Sequence, residues 1–369
     1  MADLPGGAES RPRRGYLDWM RGLAVLIMIE AHVIDSWTRA ADRQSWQYGW
    51  STILGGFGAP LFLFLAGVSV ALSAASKARR LGDPAAAVSA VVRRGFEIFL
   101  LAFVFRVQAW VLGLGAPSGL LKVDILNIMG PSIMAAAVLW GWGAERRRRY
   151  AIYALAMLVT TLITPLVRST ALLDGVPDPL EAYLRPVRGL TNFAFFPWAG
   201  FVFGGAILGV AIDASRTRES EARLNLVFLV AGAAIAIAAY AGSFRPTPYP
   251  RSDFWTSSPS FFFIRAGLMT MAIAVAYAWE AWRPARWSPM QQLGRTSLFI
   301  YWIHVELVYG LISLPLHKRL PLGGAWLALG AFCVFMLGCS IVKDRVVAKW
   351  RARNHRQPMS LDAHQPLSR

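Results

Sequence analysis

The sequence predicts an all-α polytopic membrane protein, with about ten transmembrane helices in one bundle and both termini cytoplasmic. Three observations carry that expectation. Of 369 residues, 56% are hydrophobic and only 16% charged, too apolar a balance for a soluble domain. The apolar residues fall in runs of roughly 20, the length that crosses a hydrocarbon core of ~30 Å. Arg and Lys concentrate in alternate short connections, most densely in ERRRR at 145–149, as the positive-inside rule requires of cytoplasmic loops. The net charge of +17 is therefore read as topology, and no nucleic-acid motif accompanies it.

Taken in order, residues 1–15 form a basic, Gly- and Pro-containing arm expected to be disordered. The membrane domain covers 16–342, and a basic cytoplasmic tail covers 343–369. Spans are expected at about 16–37, 51–74, 95–113, 122–143 and 150–167, then at 192–212, 224–243, 260–281, 292–312 and 323–342. Pro60 and Gly130-Pro131 mark expected kinks, and Gly82-Asp83-Pro84 a turn on the basic side. Residues 168–191, with three prolines, form a long outer loop, and 244–259 an aromatic, Pro-rich one. Cys333 and Cys339 are six apart on nearly opposite helix faces, so neither a disulfide nor a metal site is expected.

The first span, DWMRGLAVLIMIEAHVID from Asp18 to Asp35, carries the strongest functional signal. Each ionisable group at a helix centre costs roughly 2.5–3.5 kcal/mol on insertion scales, so a retained set faces a cavity or another helix. Arg21 and His32 are eleven positions apart. That is three turns plus about 20°, so both lie on one face, about 16 Å apart along the axis. Neutral imidazole is the side chain best matched to proton abstraction near neutral pH, which makes His32 the candidate general base. Asp35, one turn beyond, is placed to orient its ring. Arg21 and Asp18 lie at the cytoplasmic end.

His304 is the second membrane histidine, with Tyr301 and Ser297 on its own face; Glu306 is read as pointing elsewhere. Arg106, Lys122, Asp124 and Asn127 lie toward the outer ends of spans three and four, with Asn192 at the start of span six. They line a cavity or pair with one another; Arg265 reads the same way. Packing is the bland alternative for each, by interhelical hydrogen bonding or snorkelling. P-loop, GxGxxG, HExxH, CxxC and GxSxG motifs are all lacking, so ATP-driven transport and metal-dependent hydrolysis have no support. A flippase or proton-coupled carrier using the Arg21/His32 stripe as a relay is the competing class.

RGLAVLIMIEAH resembles the first span of membrane acyltransferases of the acyltransferase-3 type. The wider pattern is more similar to bacterial relatives of the heparan-α-glucosaminide N-acetyltransferase catalytic domain. It comprises YLDWMRGLAVLIMIEAH (16–32), APLFLFLAGVSVALS (59–73), KVDILNIMGP (122–131), NFAFFPWAGFVFGGAILG (192–209) and LGRTSLFIYWIHVEL (293–307). The resemblance implies transfer of an acyl group, usually acetyl from acetyl-CoA, across the bilayer to an amine or hydroxyl of an extracytoplasmic sugar or glycolipid. It implies a multi-pass protein of the bacterial inner membrane, with a homodimer compatible and no metal. His32, His304 and Asp35 become the expected catalytic residues, Arg21 and Asp18 the donor-binding ones, and Arg106, Asp124, Asn127 and Asn192 the acceptor-binding ones. The pattern departs at one place: heparan-type enzymes carry Asn where His32 stands and a histidine further along, near Arg43.

Overall fold

The computed structural model describes residues 14–113, 117–283 and 287–354. Arg286 lies outside the described residues, as do residues 1–13 and 355–369 of the expected terminal segments, with His355 and His364. The helices are α1 (Gly15–Trp37), α2 (Trp46–Gly55), α3 (Gly58–Leu81), α4 (Pro84–Gly113) and α5 (Ile125–Trp142). They continue with α6 (Arg146–Leu162), α7 (Thr164–Ser169), α8 (Asp178–Leu184), α9 (Phe195–Ala214) and α10 (Arg218–Ser243). The last four are α11 (Pro259–Trp282), α12 (Pro289–Arg295), α13 (Ser297–Tyr309) and α14 (Leu322–Asn354). Among the described residues extended pairing is confined to two isolated bridges, Thr38 with Leu320 and Val123 with Thr191.

Seven helical segments among the described residues are long and apolar enough to cross a membrane: Trp46–Leu81, Ile125–Trp142, Arg146–Ser169, Phe195–Ala214, Arg218–Ser243, Pro259–Trp282 and Leu322–Arg353. Outside that count stand α1, α4 and α13. α1 carries Asp18, Arg21, Glu30 and Asp35, α4 carries Arg93, Arg94, Glu97 and Arg106, and α13 has only 13 residues. These same three helices bear most of the candidate site; in α1 and α4 its polar groups interrupt the apolar run, and α13 is short.

α1 is the hub, packed against α2, α3, α11, α12, α13 and α14. Its fit against α12 needs glycine on both sides: a Cβ at Gly294 would stand 1.8 Å from the Asp18 carbonyl oxygen, and one at Gly22 2.0 Å from that of Met290. α3 and α9 approach equally closely, since a Cβ at Gly205 would stand 1.8 Å from the Phe64 carbonyl oxygen. Close backbone approach through small residues is how membrane helices gain packing without a hydrophobic drive. α4 pairs with α5 and α10 with α11.

Several expected boundaries move. The break in the second span falls at Gly56–Phe57, not at Pro60, which sits in the first turn of α3 where its missing N–H has no helical partner to lose. Gly82 does turn the chain, with φ +67°. Asp83 then caps α4, its Oδ1 accepting from the Ala85 N–H at 2.7 Å, so residues expected as a basic loop up to Arg94 are helix. The ninth span is divided at Thr296, and α14 runs past residue 342 to Asn354. The long outer loop contains α8.

Candidate active site

α1, α3, α4, α5 and α13 enclose a cavity of about 1280 Å³. At one end are Lys77 of α3 and Arg93 and Arg94 of α4; in the middle are Arg21, Ser69 and Ser73; at the other end are His32, Arg106, Lys122, Asp124, Asn192, Glu306 and Tyr309. Between the polar groups the walls are apolar, with Phe62, Ile98, Phe105, Met129 and Trp198 among them. The α1 stripe read from spacing alone is thus part of one wall of the chamber, with Arg21 next to the end that holds Lys77, Arg93 and Arg94, and His32 at the other end beside Arg106 and Lys122.

Arg21 is held by two bonds. Its guanidinium donates to Asp18 Oδ1 at 2.7 Å and to Ser69 Oγ at 2.6 Å. Asp18 is 3% exposed and does not line the cavity, so its part is to fix Arg21 and not to meet a ligand. Thirty per cent of the Arg21 side chain stays accessible.

His32 and His304 form the centre of the other end. His32 Nδ1 lies 2.8 Å from His304 Nε2, with the rings nearly parallel at 14° and centroids 5.0 Å apart. His304 is completely buried, and its Nδ1 is 2.9 Å from the Ile300 carbonyl oxygen. A carbonyl oxygen only accepts, so His304 Nδ1 carries the hydrogen. In the neutral ring Nε2 is then a bare acceptor, and His32 Nδ1–H donates to it. The tautomer of His32 follows: Nε2, its other nitrogen, holds a free lone pair on a ring that lines the cavity. A backbone carbonyl therefore sets the basic nitrogen of His32 through an intervening histidine, the orienting role that a carboxylate plays in hydrolase triads.

Asp35 does not fill that role. It is 57% exposed in its side chain, accepts from Tyr309 Oη–H at 3.1 Å, and pairs with Arg43 at 3.5 Å. Its turn of α1 is exposed, and the His32 ring is held by α13 instead. Tyr309 connects the two, its ring 5.5 Å from that of His32.

Arg106 and Asp124 form an ion pair with both side chains largely buried. Asn192 Nδ2 donates to the other oxygen of Asp124 at 3.1 Å. Asn127 is drawn off into structure: its Oδ1 accepts from the Asp124 N–H at 2.9 Å, capping α5, while its Nδ2 donates to Tyr183 Oη at 3.2 Å, and it does not line the cavity. Arg265 also stays outside the cavity, its guanidinium stacked 3.8 Å from the Phe261 ring centroid. Ser69, Lys77, Arg93, Arg94, Glu306 and Tyr309 are cavity residues that spacing did not single out as site members. The basic three had been absorbed into the topology reading. Among the described residues no cluster of His, Cys, Asp and Glu is arranged to hold a metal ion.

Residues 13–243 match the family model for heparan-alpha-glucosaminide N-acetyltransferase, catalytic. The chain belongs to that family. No curated protein matches it. The matched region runs from α1 through α10 and contains every cavity residue of α1, α3, α4 and α5, while α13, with His304, Glu306 and Tyr309, lies beyond it. Membership implies a transmembrane acetyltransferase, in a family that uses acetyl-CoA as donor.

Proposed function

We propose that the protein moves acetyl from cytosolic acetyl-CoA to an amine or hydroxyl of an extracytoplasmic sugar or glycolipid, with His32 as general base. The single observation that carries this reading is the shared cavity: four basic side chains toward one end and a base with a free lone pair at the other. In this reading the chain lies in a bacterial inner membrane with ten spans, the seven apolar segments joined by α1, α4 and α12–α13. Both termini are cytoplasmic, which puts Lys77, Arg93 and Arg94 at the cytosolic face.

Coenzyme A carries phosphates at one end and a thioester at the other, joined by a long, weakly polar arm. Arg21, Lys77, Arg93 and Arg94 hold the phosphates, where guanidinium forks match phosphate oxygens. The arm follows the apolar walls, and the thioester reaches His32. His32 Nε2 takes the proton from the acceptor atom as that atom attacks the thioester carbon. The carbonyl oxygen gains negative charge beside the Arg106 guanidinium. The C–S bond then breaks, and the imidazolium returns its proton to the thiolate. His304 keeps its acceptor nitrogen toward His32 throughout and steadies the imidazolium. Asp124 and Asn192 hold Arg106 in place.

The test is consumption of acetyl-CoA by purified protein in detergent, measured with and without glucosamine as acceptor. Acetyl-CoA loss that depends on glucosamine supports the reading. Solute flux without donor consumption would identify the same chamber as a carrier path.

A further inference from the structure

α14 is longer than a bilayer needs and turns most of its surface outward. Its 33 residues, Leu322–Asn354, rise about 50 Å, whereas a hydrocarbon core of ~30 Å takes about 20 residues. The apolar run 323–342 fills that depth, so 343–354 emerges as a continuation of the same helix. Five of the emerging residues are cationic, Lys343, Arg345, Lys349, Arg351 and Arg353, against Asp344 alone. Where α13 packs on α14 the surface is notched by an open groove of about 620 Å³. Phe299 of α13 lines it with Phe335, Val342, Val346 and Val347 of α14, and Lys343 is its charged lining residue. Gly338 lines it too, and a Cβ there would meet nothing within 4 Å, so the groove stays open at that level.

The chemistry changes along this stripe. Phe335, Val342 and Val346 lie on one line of the helix and are exposed. Continuing that line by the helical period brings Lys349, Trp350 and Arg353 to within about 60° of it, and all three are exposed. Lys343 Nζ pairs with Asp344 Oδ1 at 3.0 Å, and Asp344 Oδ2 accepts from Gln292 Nε2 at 2.8 Å. The charge offered outward along the stripe is therefore that of Lys349 and Arg353. Trp350 stands between them, and tryptophan is enriched where hydrocarbon meets headgroups. An apolar groove at bilayer depth that ends on cations just outside it matches an acyl chain joined to an anionic headgroup. A second copy of this chain fits less well, since a symmetric α14 contact sets Lys349 and Arg353 against their own copies. Residues 355–369 carry two arginines and one aspartate, so they do not supply the complementary charge.

We propose that the α13–α14 groove binds an anionic phospholipid, one acyl chain lying along Gly338, Val342 and Val346 and the phosphate held by Lys349 and Arg353. The site is separate from the cavity that holds His32 and needs no acyl transfer to occur. With the C-terminus cytoplasmic, as in the reading above, the lipid comes from the cytoplasmic leaflet.

The experiment is native mass spectrometry of the full chain in detergent, titrated with phosphatidylglycerol or with phosphatidylcholine of the same acyl chains. Wild type binds phosphatidylglycerol at least about tenfold more tightly than phosphatidylcholine. K349A/R353A lowers the phosphatidylglycerol affinity about tenfold and leaves that for phosphatidylcholine within about twofold. G338L fills the open notch and weakens both lipids. R147A/R148A removes two exposed cations from α6 as a charge-matched control and leaves both affinities unchanged. An unfolding midpoint equal to wild type without added lipid shows that each variant is folded. Equal losses in K349A/R353A and R147A/R148A would mean attraction to net charge alone and overturn the site. Unchanged affinities in G338L would mean a headgroup contact without the groove, which also overturns it. A lipid-free dimer that G338L dissociates would give the groove to a second copy instead.

Discussion

Replacing His304 by leucine removes the group that sets the His32 tautomer while leaving His32 in place. The lost contact is a 2.8 Å bond between two rings, one of them wholly buried. Leaving its donor unpartnered costs about 1–3 kcal/mol, and more of that falls on the transition state, where His32 is an imidazolium and its hydrogen bonds are charge-assisted. At about 1.4 kcal/mol per factor of ten, kcat for acetyl transfer falls roughly 10–100-fold. Loss of the base itself costs about 10²–10⁴-fold, so H304L lies between wild type and a His32 variant. H304Q restores an acceptor oxygen near the lost Nε2 and recovers part of the rate. The assay is kcat at saturating acetyl-CoA and glucosamine, with the double variant H32A/H304L included. Once the base is gone its orienting group has nothing to act on, so the double variant is no slower than H32A alone. Full activity in H304L, or losses that multiply in the double variant, would refute the relay.

R93A/R94A is expected to raise the KM for acetyl-CoA about 3–10-fold with kcat unchanged, more at low ionic strength because both side chains are largely exposed. A KM independent of salt would separate these arginines from the donor. Gly205→Val drives a side chain into the Phe64 carbonyl, where a Cβ alone would stand 1.8 Å away. It is expected to cost at least the ~1–3 kcal/mol typical of overpacking, seen as a lower unfolding midpoint in detergent. Asp42, outside the spanning segments, is held below the usual carboxylate range, first by the Leu322 N–H at 2.8 Å and next by Arg39. Its folded value is depressed, so its contribution is complete above roughly pH 3.9, its unfolded value, and fades as pH falls through the lower folded one. D42N is expected to flatten the acid arm of the stability–pH profile, and an unchanged arm would exclude Asp42 as a source of it.

The apolar runs, their alternating basic connections and the shared face of Arg21 and His32 were all readable from residue order, because each is local and follows from helical period or hydropathy. The partner of His32 was not. His304 lies 272 positions away and is brought into register by the packing of α13 on α1, which no local pattern encodes. Asp35 was the obvious partner because it is one turn away on the same helix. Arg43, eight residues on, and Tyr309, 274 positions away on α13, claim it instead. Asn127 went to a helix cap for a local reason, the Asp-x-x-Asn spacing of a capping box, which could have been read in advance. Lys77, Arg93 and Arg94 were visible as charges, yet topology explained them so well that a second role was hidden. Glu306 was set aside because it is two residues from His304 and so on another face. The cavity lining includes Glu306 together with Tyr301, Val305 and Tyr309 of α13, while His304 stays buried.

The central claim is that one chamber brings a cytosolic acyl donor to a base that serves the opposite side of the bilayer. The most direct measurement uses proteoliposomes of uniform orientation, with labelled acetyl-CoA only on the side of Lys77, Arg93 and Arg94 and glucosamine only on the other. Wild type should place label on glucosamine across the bilayer, and H32A should lose at least about 99% of that rate. Label reaching glucosamine at the wild-type rate in H32A, or glucosamine modified only when it shares the donor's compartment, would contradict the account.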